Sequence, residues 1–164
     1  MAEVRKLSTT DLSSLLNLIS VVEDNLDFKE QWLPMEEKEK ESLVTNIRTM
    51  MFGMFDGDVL IGATGLFWDT AHVDKYLGNI HAMDPVAVVG RGMVLPSYRK
   101  QGIASRLLNE VTDMAKVMGF NTLVVSAHPE NKASIKTLTN AGFTVREERE
   151  MMPGYKRSIL SKEL

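Results

Sequence analysis

The first third of the chain has two helical apolar patterns. Ser8 to Asp11 offers hydroxyl and carboxylate groups that cap a helix start. The apolar residues that follow recur at helical spacing: Leu12, Leu15, Leu16, Ile19 and Val22. Val4–Leu7 before them predicts a short strand. A second helix is predicted from near Pro34, and its apolar stripe is Leu43, Val44, Ile47, Met50 and Met51.

The middle of the chain is rich in strand signals. Residues 52–62 predict a hairpin around Asp56-Gly57, because glycine tolerates the positive φ of a tight turn. Its second arm is expected to run to about Trp68. Residues 69–84 are ambiguous and are expected to form a long loop. The apolar, β-branched run Pro85–Val94 predicts a central strand.

The second half alternates helices and strands. One helical face is strongly apolar: Ile103, Leu107, Leu108, Val111, Met114, Ala115 and Met118. Gly119 ends that helix, and Thr122–Ser126 predicts a short buried strand. Asn131 caps a helix that runs to about Asn140, with Gly142 at its end; Phe143 and Tyr155 begin two further strands. The order β-α-α-β-β-β-α-β-α-β-β indicates a mixed α/β layer architecture.

Composition narrows the class of protein. The 164 residues fit one domain, and 44% apolar and 25% charged residues are typical of a soluble globular protein. No apolar run approaches a bilayer span or a signal peptide, so we expect a cytoplasmic protein without membrane contact, as a monomer or a homodimer. A net charge of −3 gives no reason to expect nucleic-acid binding. There are no cysteines, and the three histidines form no recognisable ligand set, so no metal is expected.

The residues that indicate a ligand-binding site lie in Val94–Ser105. A strand ends, a short basic loop with Arg99 and Lys100 follows, and an amphipathic helix begins after Gly102. Free N–H groups and the dipole at a helix start attract anions, so this loop predicts a phosphate or pyrophosphate site. It is not a Walker A loop. Nor is it a dinucleotide fingerprint, because Leu95 stands where Gly90-Arg91-Gly92 would require a third glycine.

The loop resembles the pyrophosphate motif of the GNAT-type N-acetyltransferase superfamily, Arg/Gln-x-x-Gly-x-Gly/Ala. Here it reads Arg99-Lys100-Gln101-Gly102-Ile103-Ala104. A second family element follows at the expected distance: Asn131 opening a helix, then Ala141-Gly142-Phe143 before a strand. The resemblance is sharp over residues 86–146. It implies a GNAT fold, with a mixed, mostly antiparallel sheet of six to seven strands flanked by about four helices.

The resemblance also implies acetyl-CoA as cofactor and CoA as product. The pyrophosphate is then expected on the backbone of Gln101 to Ser105, beside Arg99 and Lys100. The pantetheine arm is expected to pair with Met93 and Val94 and to touch Asn131, near a splay between the fourth and fifth strands. The cofactor-binding residues so implied are Met93, Val94, Arg99, Lys100, Gln101, Gly102, Ile103, Ala104, Ser105 and Asn131.

The usual acid and base of the family are not present. Val88 and Ser126 stand where a glutamate is common, and Leu138 where a tyrosine is common. His128 and Tyr155 are the candidate substitutes. Arg91 could bind an acidic part of a substrate or reach solvent.

The acceptor is expected to be an amine. Residues 23–41 carry a net charge of −5, a pattern that would attract a cationic amine or simply form a solvated helix face. Phe28 and Trp32 lie in the same segment and could line the cleft or pack in the core. The main interpretation is acetyl transfer to a primary amine in a ternary complex, with a small molecule as acceptor. The alternatives are a non-catalytic CoA-binding sensor or scaffold, and an acyltransferase acting on a protein amine.

Overall fold

The computed structural model describes residues 2–164. Three 3-10 turns, at Thr9–Asp11, Lys29–Gln31 and Pro96–Tyr98, interrupt the regular elements. In chain order the helices and strands are β1 (Glu3–Lys6), α1 (Leu12–Asp24), α2 (Glu37–Thr45), β2 (Thr49–Asp56), β3 (Val59–Phe67), α3 (Thr70–Leu77), β4 (Val86–Val94), α4 (Ile103–Val117), β5 (Thr122–Ala127), α5 (Lys132–Asn140), β6 (Thr144–Met152) and β7 (Tyr155–Glu163).

One seven-stranded sheet, in the order β1-β2-β3-β4-β5-β7-β6, organises the chain. The pair β4–β5 is parallel and the other five pairs are antiparallel. The predicted mixed, mostly antiparallel sheet is therefore confirmed. The predicted hairpin is also confirmed, since β2 and β3 flank Asp56-Gly57 and Gly57 has φ 59°.

Helices cover both faces of the sheet. On one face, α4 and α5 bury an apolar stripe that includes Leu107, Val111 and Leu138. On the other face, α1 and α2 pack over β2–β4 through Leu15, Ile19 and Leu43, among others. The helix α3 extends that second layer toward β5 and β7. Each fully buried leucine or isoleucine contributes about 1.5–3 kcal/mol relative to exposure, so these layers fix the sheet that carries the site.

Two expectations from the sequence were wrong. Residues 69–84 are not one long loop, because Thr70–Leu77 forms α3, with the Asp69 carboxylate accepting from the His72 N–H at its start. Ile47, Met50 and Met51 are not part of the second helix, and Ile47 is exposed. That helix begins at Glu37 and stops at Thr45, and both methionines lie in β2, where Met51 is buried.

Candidate active site

Only four of the nine residues of β4 pair with β5. Their parallel ladder runs from Val86↔Thr122 to Val89↔Val125 and then ends. Beyond it, Met93 and Val94 still pair with β3 on the other side. A wedge therefore opens between β4 and β5. The backbone of Gly90–Val94 borders this wedge and does not pair with β5.

A bulge accompanies the opening of the wedge. The β3–β4 register shifts between Ala63 and Gly65, and Arg91 on β4 has a positive φ of 54°. A non-glycine residue with positive φ is uncommon, and a bulge bends its strand. Arg91 lies two residues beyond Val89, the last residue of β4 that pairs with β5.

The start of α4 lies directly after β4 along the chain. Gly102, the residue before α4, has φ 79°, and a side chain built there would meet nothing within 4 Å. The first helical bond runs from the Arg106 N–H to the Gly102 carbonyl. Within residues 2–164 no backbone carbonyl accepts from the N–H groups of Gln101 to Ser105, so these donors face outward together.

The loop before α4 is anchored and positively charged. The Tyr98 hydroxyl donates to the Asp56 carboxylate at 2.7 Å, which ties the loop to the β2–β3 hairpin. Arg99 and Lys100 are exposed, and neither forms an ion pair with the described residues. A cavity of about 300 Å³ lies beside Gly102, lined also by Arg106, which the sequence analysis did not single out.

The start of α5 lies beyond the end of β5. The Asn131 side chain accepts from the Ser134 N–H at 3.2 Å, so it caps α5 as expected. His128 follows β5, and its ring lies edge-on to Phe28 with centroids 4.7 Å apart. Its Nδ1 is 3.1 Å from the Glu130 N–H and accepts from it, which assigns the proton of the neutral ring to Nε2.

On the opposite face of the sheet, Arg91 ties the segment between α1 and α2 to β4. Its Nη1 donates to the Leu33 carbonyl and its Nη2 to the Glu39 carboxylate, both at 2.8 Å. The guanidinium also lies 5.0 Å from the Trp32 ring centroid. Arg91 thus neither points to solvent nor stands free for a substrate, because Glu39 already neutralises it.

A second arginine, Arg157 on β7, was not found from the sequence. It is only 3% exposed, and its Nη1 donates to the carbonyls of Glu30 and Lys156 at 2.8 and 2.7 Å. Burial lowers its pKa from the ordinary arginine value, and the nearby Arg91 charge also lowers it. The usable signal was strand parity, since Arg157 shares one face of β7 with Tyr155 and Ile159, both buried.

Comparison with known proteins identifies the family. The model of the Acetyltransferase (GNAT) family matches residues 18–143, well over half of the chain. The chain belongs to the GNAT acetyltransferase family. Acetyl transfer from acetyl-CoA is general to that family. No significant match is found among curated protein sequences.

Solved structures confirm the GNAT fold. The ribosomal-protein-S18-alanine N-acetyltransferase from Escherichia coli superposes with a TM-score of 0.75 at 19% identity, over 99% of this chain and 94% of that one. Arabidopsis thaliana NAA60 in complex with a bisubstrate analogue gives 0.80 at 16% identity, over 99% and 98%. The PaiA N-acetyltransferase of Thermoplasma acidophilum in complex with coenzyme A gives 0.66 at 20% identity, over 100% and 99%.

The positions expected to hold a GNAT acid or base carry none here. Val88 and Leu138 are buried apolar residues, and Ser126 is half-buried on β5. Tyr155 begins β7 and is 7% exposed. Among residues 2–164 there is no cluster of three or more His, Asp or Glu side chains suited to a metal ion, and no helix long and apolar enough to cross a membrane.

Proposed function

We propose that the protein is an acetyl-CoA-dependent N-acetyltransferase that moves an acetyl group directly to a primary amine in a ternary complex. The observation that carries this proposal is the wedge between β4 and β5. The free N–H groups of α4 lie on one side of the wedge. The α1–α2 segment covers the other side. We therefore assign the α4 side of the wedge to the donor and the side beneath the α1–α2 segment to the acceptor.

The residues around the wedge fit acetyl-CoA. The N–H groups of Gln101 to Ser105 form a set of outward donors at a helix start, which suits a pyrophosphate. Gly102 leaves the approach to them open, and Arg99 and Lys100 add positive charge. Met93 and Val94 pair with β3 but, within residues 2–164, have no partner strand on the β5 side, where an extended pantetheine arm can lie, and Asn131 lies at the start of α5 beyond β5. The bound cofactor supplies the activated acetyl thioester.

Positioning is the main catalytic contribution that this chain offers. Holding two reactants in register accounts for a large share of many rate enhancements, and it needs no strong base. The Nδ1 of His128 accepts a hydrogen bond from the Glu130 N–H. His128 can therefore serve as a base only after that hydrogen bond is broken. A proton leaving the amine then passes to water, or the amine reacts in its neutral form. Tyr155 is the candidate donor to the leaving thiolate.

The covered acceptor side favours a small molecule over a protein amine. Arg91 and Arg157 fasten residues 29–33 onto the sheet through carbonyls of that segment. An unfolded peptide would have to displace these bonds, whereas a small amine needs only the space at the wedge. The non-catalytic alternative rests on Val88, Ser126 and Leu138, which provide no acid or base with an accessible pKa.

Turnover separates these possibilities. Purified protein is incubated with acetyl-CoA and a panel of amines and peptides, and free thiol release and the mass of the product are followed. We expect an acetylated small amine and thiol in equal amounts, with the rate at low acetyl-CoA concentration strongly reduced in a Gly102→Val variant whose affinity for acetyl-CoA is weakened. Tight acetyl-CoA binding without product from any amine would instead support a sensor or scaffold.

A further inference from the structure

Arg157 is a buried cation with spare hydrogen-bonding capacity. A guanidinium has five N–H donors, but only Nη1 has acceptors within residues 2–164, and both are backbone carbonyls. No carboxylate of the described chain pairs with it. A buried charge without a counter-ion is costly, so an anion that reached Nε or Nη2 would be bound strongly.

The groups around Arg157 make the same site rich in donors. Arg91, Tyr76 and Tyr155 lie close enough to interact electrostatically with its charge. Glu39 also acts on Tyr76, but its carboxylate is paired with Arg91 at 2.8 Å. In addition, the indole Nε1 of Trp32 is buried without an acceptor among the described residues. The surroundings thus supply cations and N–H or O–H donors, and the Glu39 carboxylate among them is already paired with Arg91.

The register places Arg157 next to the wedge. The β4–β5 ladder ends at Val125, and the two residues of β5 beyond it pair with Ile159 and Ser158 of β7. Arg157 is the next residue of β7, one strand spacing of about 4.8 Å from β5. Arg91 belongs to β4, on the other side of β5. Both guanidinium groups donate to carbonyls of the same short segment, Arg91 to Leu33 and Arg157 to Glu30, so the two side chains lie on the same face of the sheet near the end of β5.

We propose that the acceptor is an amino acid, a small primary amine whose carboxylate is bound by Arg157. This inference rests on the proposed function and specifies its substrate class. Arginine suits the role because its planar fork binds carboxylates in a bidentate manner. The acidic residues of the 23–41 segment are consistent with it, because a zwitterion presents an ammonium group as well as a carboxylate.

The first test is binding, which does not depend on turnover. Glycine, β-alanine, 4-aminobutyrate and phenylalanine are titrated into CoA-saturated protein by calorimetry, each beside its carboxamide. We expect at least one acid to bind about 10- to 100-fold more tightly than its amide, the range for hydrogen bonds to a charged group. The series also measures the preferred spacing between amine and carboxylate. Equal affinity for every acid and its amide would overturn the proposal.

The second test uses Arg157 variants in the same titrations and in acetylation kinetics. Arg157→Gln should raise the KM of the preferred acid about 10- to 100-fold and leave the KM values of its amide and of acetyl-CoA unchanged, while Arg157→Lys should retain part of the preference. Arg146→Gln, which removes an exposed arginine of neighbouring β6, is the matched control. Thermal unfolding verifies that each variant is folded. If Arg157→Gln does not fold, the Arg157→Lys variant decides alone, and an unchanged acid-to-amide ratio in it would overturn the proposal.

The outcomes separate this inference from the proposed function. Acid-selective binding with no acetylated product would reject the transferase activity and retain the carboxylate site. Acetylation of acids and amides at equal efficiency would retain the activity and reject the site. A loss of activity toward both acid and amide in a folded Arg157→Gln variant would reduce Arg157 to a structural role.

Discussion

The backbone at Gly102 allows a sharp test of how acetyl-CoA is held. Gly102 has φ 79° at the start of α4, and Gly119 has φ 88° just after its end. A side chain built at either position meets nothing within 4 Å. A valine at either site therefore meets the same backbone strain without a clash, but only Gly102 adjoins the free N–H groups of the helix start.

The expected magnitudes follow from these two positions. A non-glycine residue in the left-handed region costs about 1–2 kcal/mol, so both variants should unfold roughly 2–8 °C lower than the parent. A side chain at 102 should in addition block about two N–H contacts with the pyrophosphate. Each hydrogen bond to a charged group contributes about 1.5–3 kcal/mol, so the affinity for CoA should fall by about 100-fold or more.

Calorimetric titration with CoA measures the effect in four proteins: the parent, Gly102→Val, Gly119→Val and Arg99→Ala. Gly119→Val should bind like the parent. Arg99→Ala should lose less than about 5-fold, because an exposed charge contributes little in water. Equal losses in the two glycine variants would mean that strain propagates through α4. A larger loss in Arg99→Ala than in Gly102→Val would show that side-chain charge, and not the backbone, holds the pyrophosphate.

Three further measurements follow from the structure. Acetyl-CoA at a hundredfold excess over its Kd should stabilise the fold by about 2.7 kcal/mol, which a thermal-shift titration detects as a rising Tm; no rise would contradict cofactor binding. His128→Ala and Tyr155→Phe should each keep measurable activity across a pH series, whereas a loss of roughly 10³-fold in one of them would identify the proton-transfer group. Hydrogen bonds from Arg5 lower the pKa of Asp11 to about 2, below its unfolded value of about 3.9. The resulting stabilisation is present above pH 4 and is lost as pH falls toward 2. Asp11→Asn should therefore lower the free energy of unfolding by about 1 kcal/mol at pH 7, after allowance for solvent around the exposed Arg5, and match the parent near pH 2 in acid titrations followed by circular dichroism.

The half of the fold after residue 85 was predictable because its signals are local. A capped helix, a buried strand and a glycine stop each depend on a few neighbouring residues, and the loop at Arg99–Ser105 is contiguous in the chain. The missed α3 had a local signal as well, since Asp69 caps it, but its apolar residues are few and none is fully buried. Met50 and Met51 were wrongly assigned to the second helix because they continue its helical spacing after the helix has ended. Asn46 ends that helix, and its side chain accepts from the Arg48 N–H at 2.8 Å in the turn to β2.

The acceptor side was not predictable in the same way, because its contacts join distant parts of the chain. Arg91 reaches the Leu33 carbonyl and Glu39, and Arg157 reaches the Glu30 carbonyl. No spacing of residues in the sequence predicts contacts between segments so far apart in the chain. They arise because β7 pairs with β5, so that a residue near the C-terminus meets the segment between α1 and α2 over the end of β5.

This difference bears on how function divides within the molecule. The proposed donor side depends on backbone geometry, since the N–H groups at a helix start can accept an anion with little help from side chains. The acceptor side depends on side chains such as Arg91, whose charge is paired with Glu39, and Arg157, which within residues 2–164 donates only to backbone carbonyls. We therefore expect a single substitution on the acceptor side to change which ligand binds and to leave the donor side intact. If the proposed function holds, acceptor specificity is set by the charges that the fold brings to the wedge, and the acid-to-amide ratio of the Arg157 variants measures it most directly.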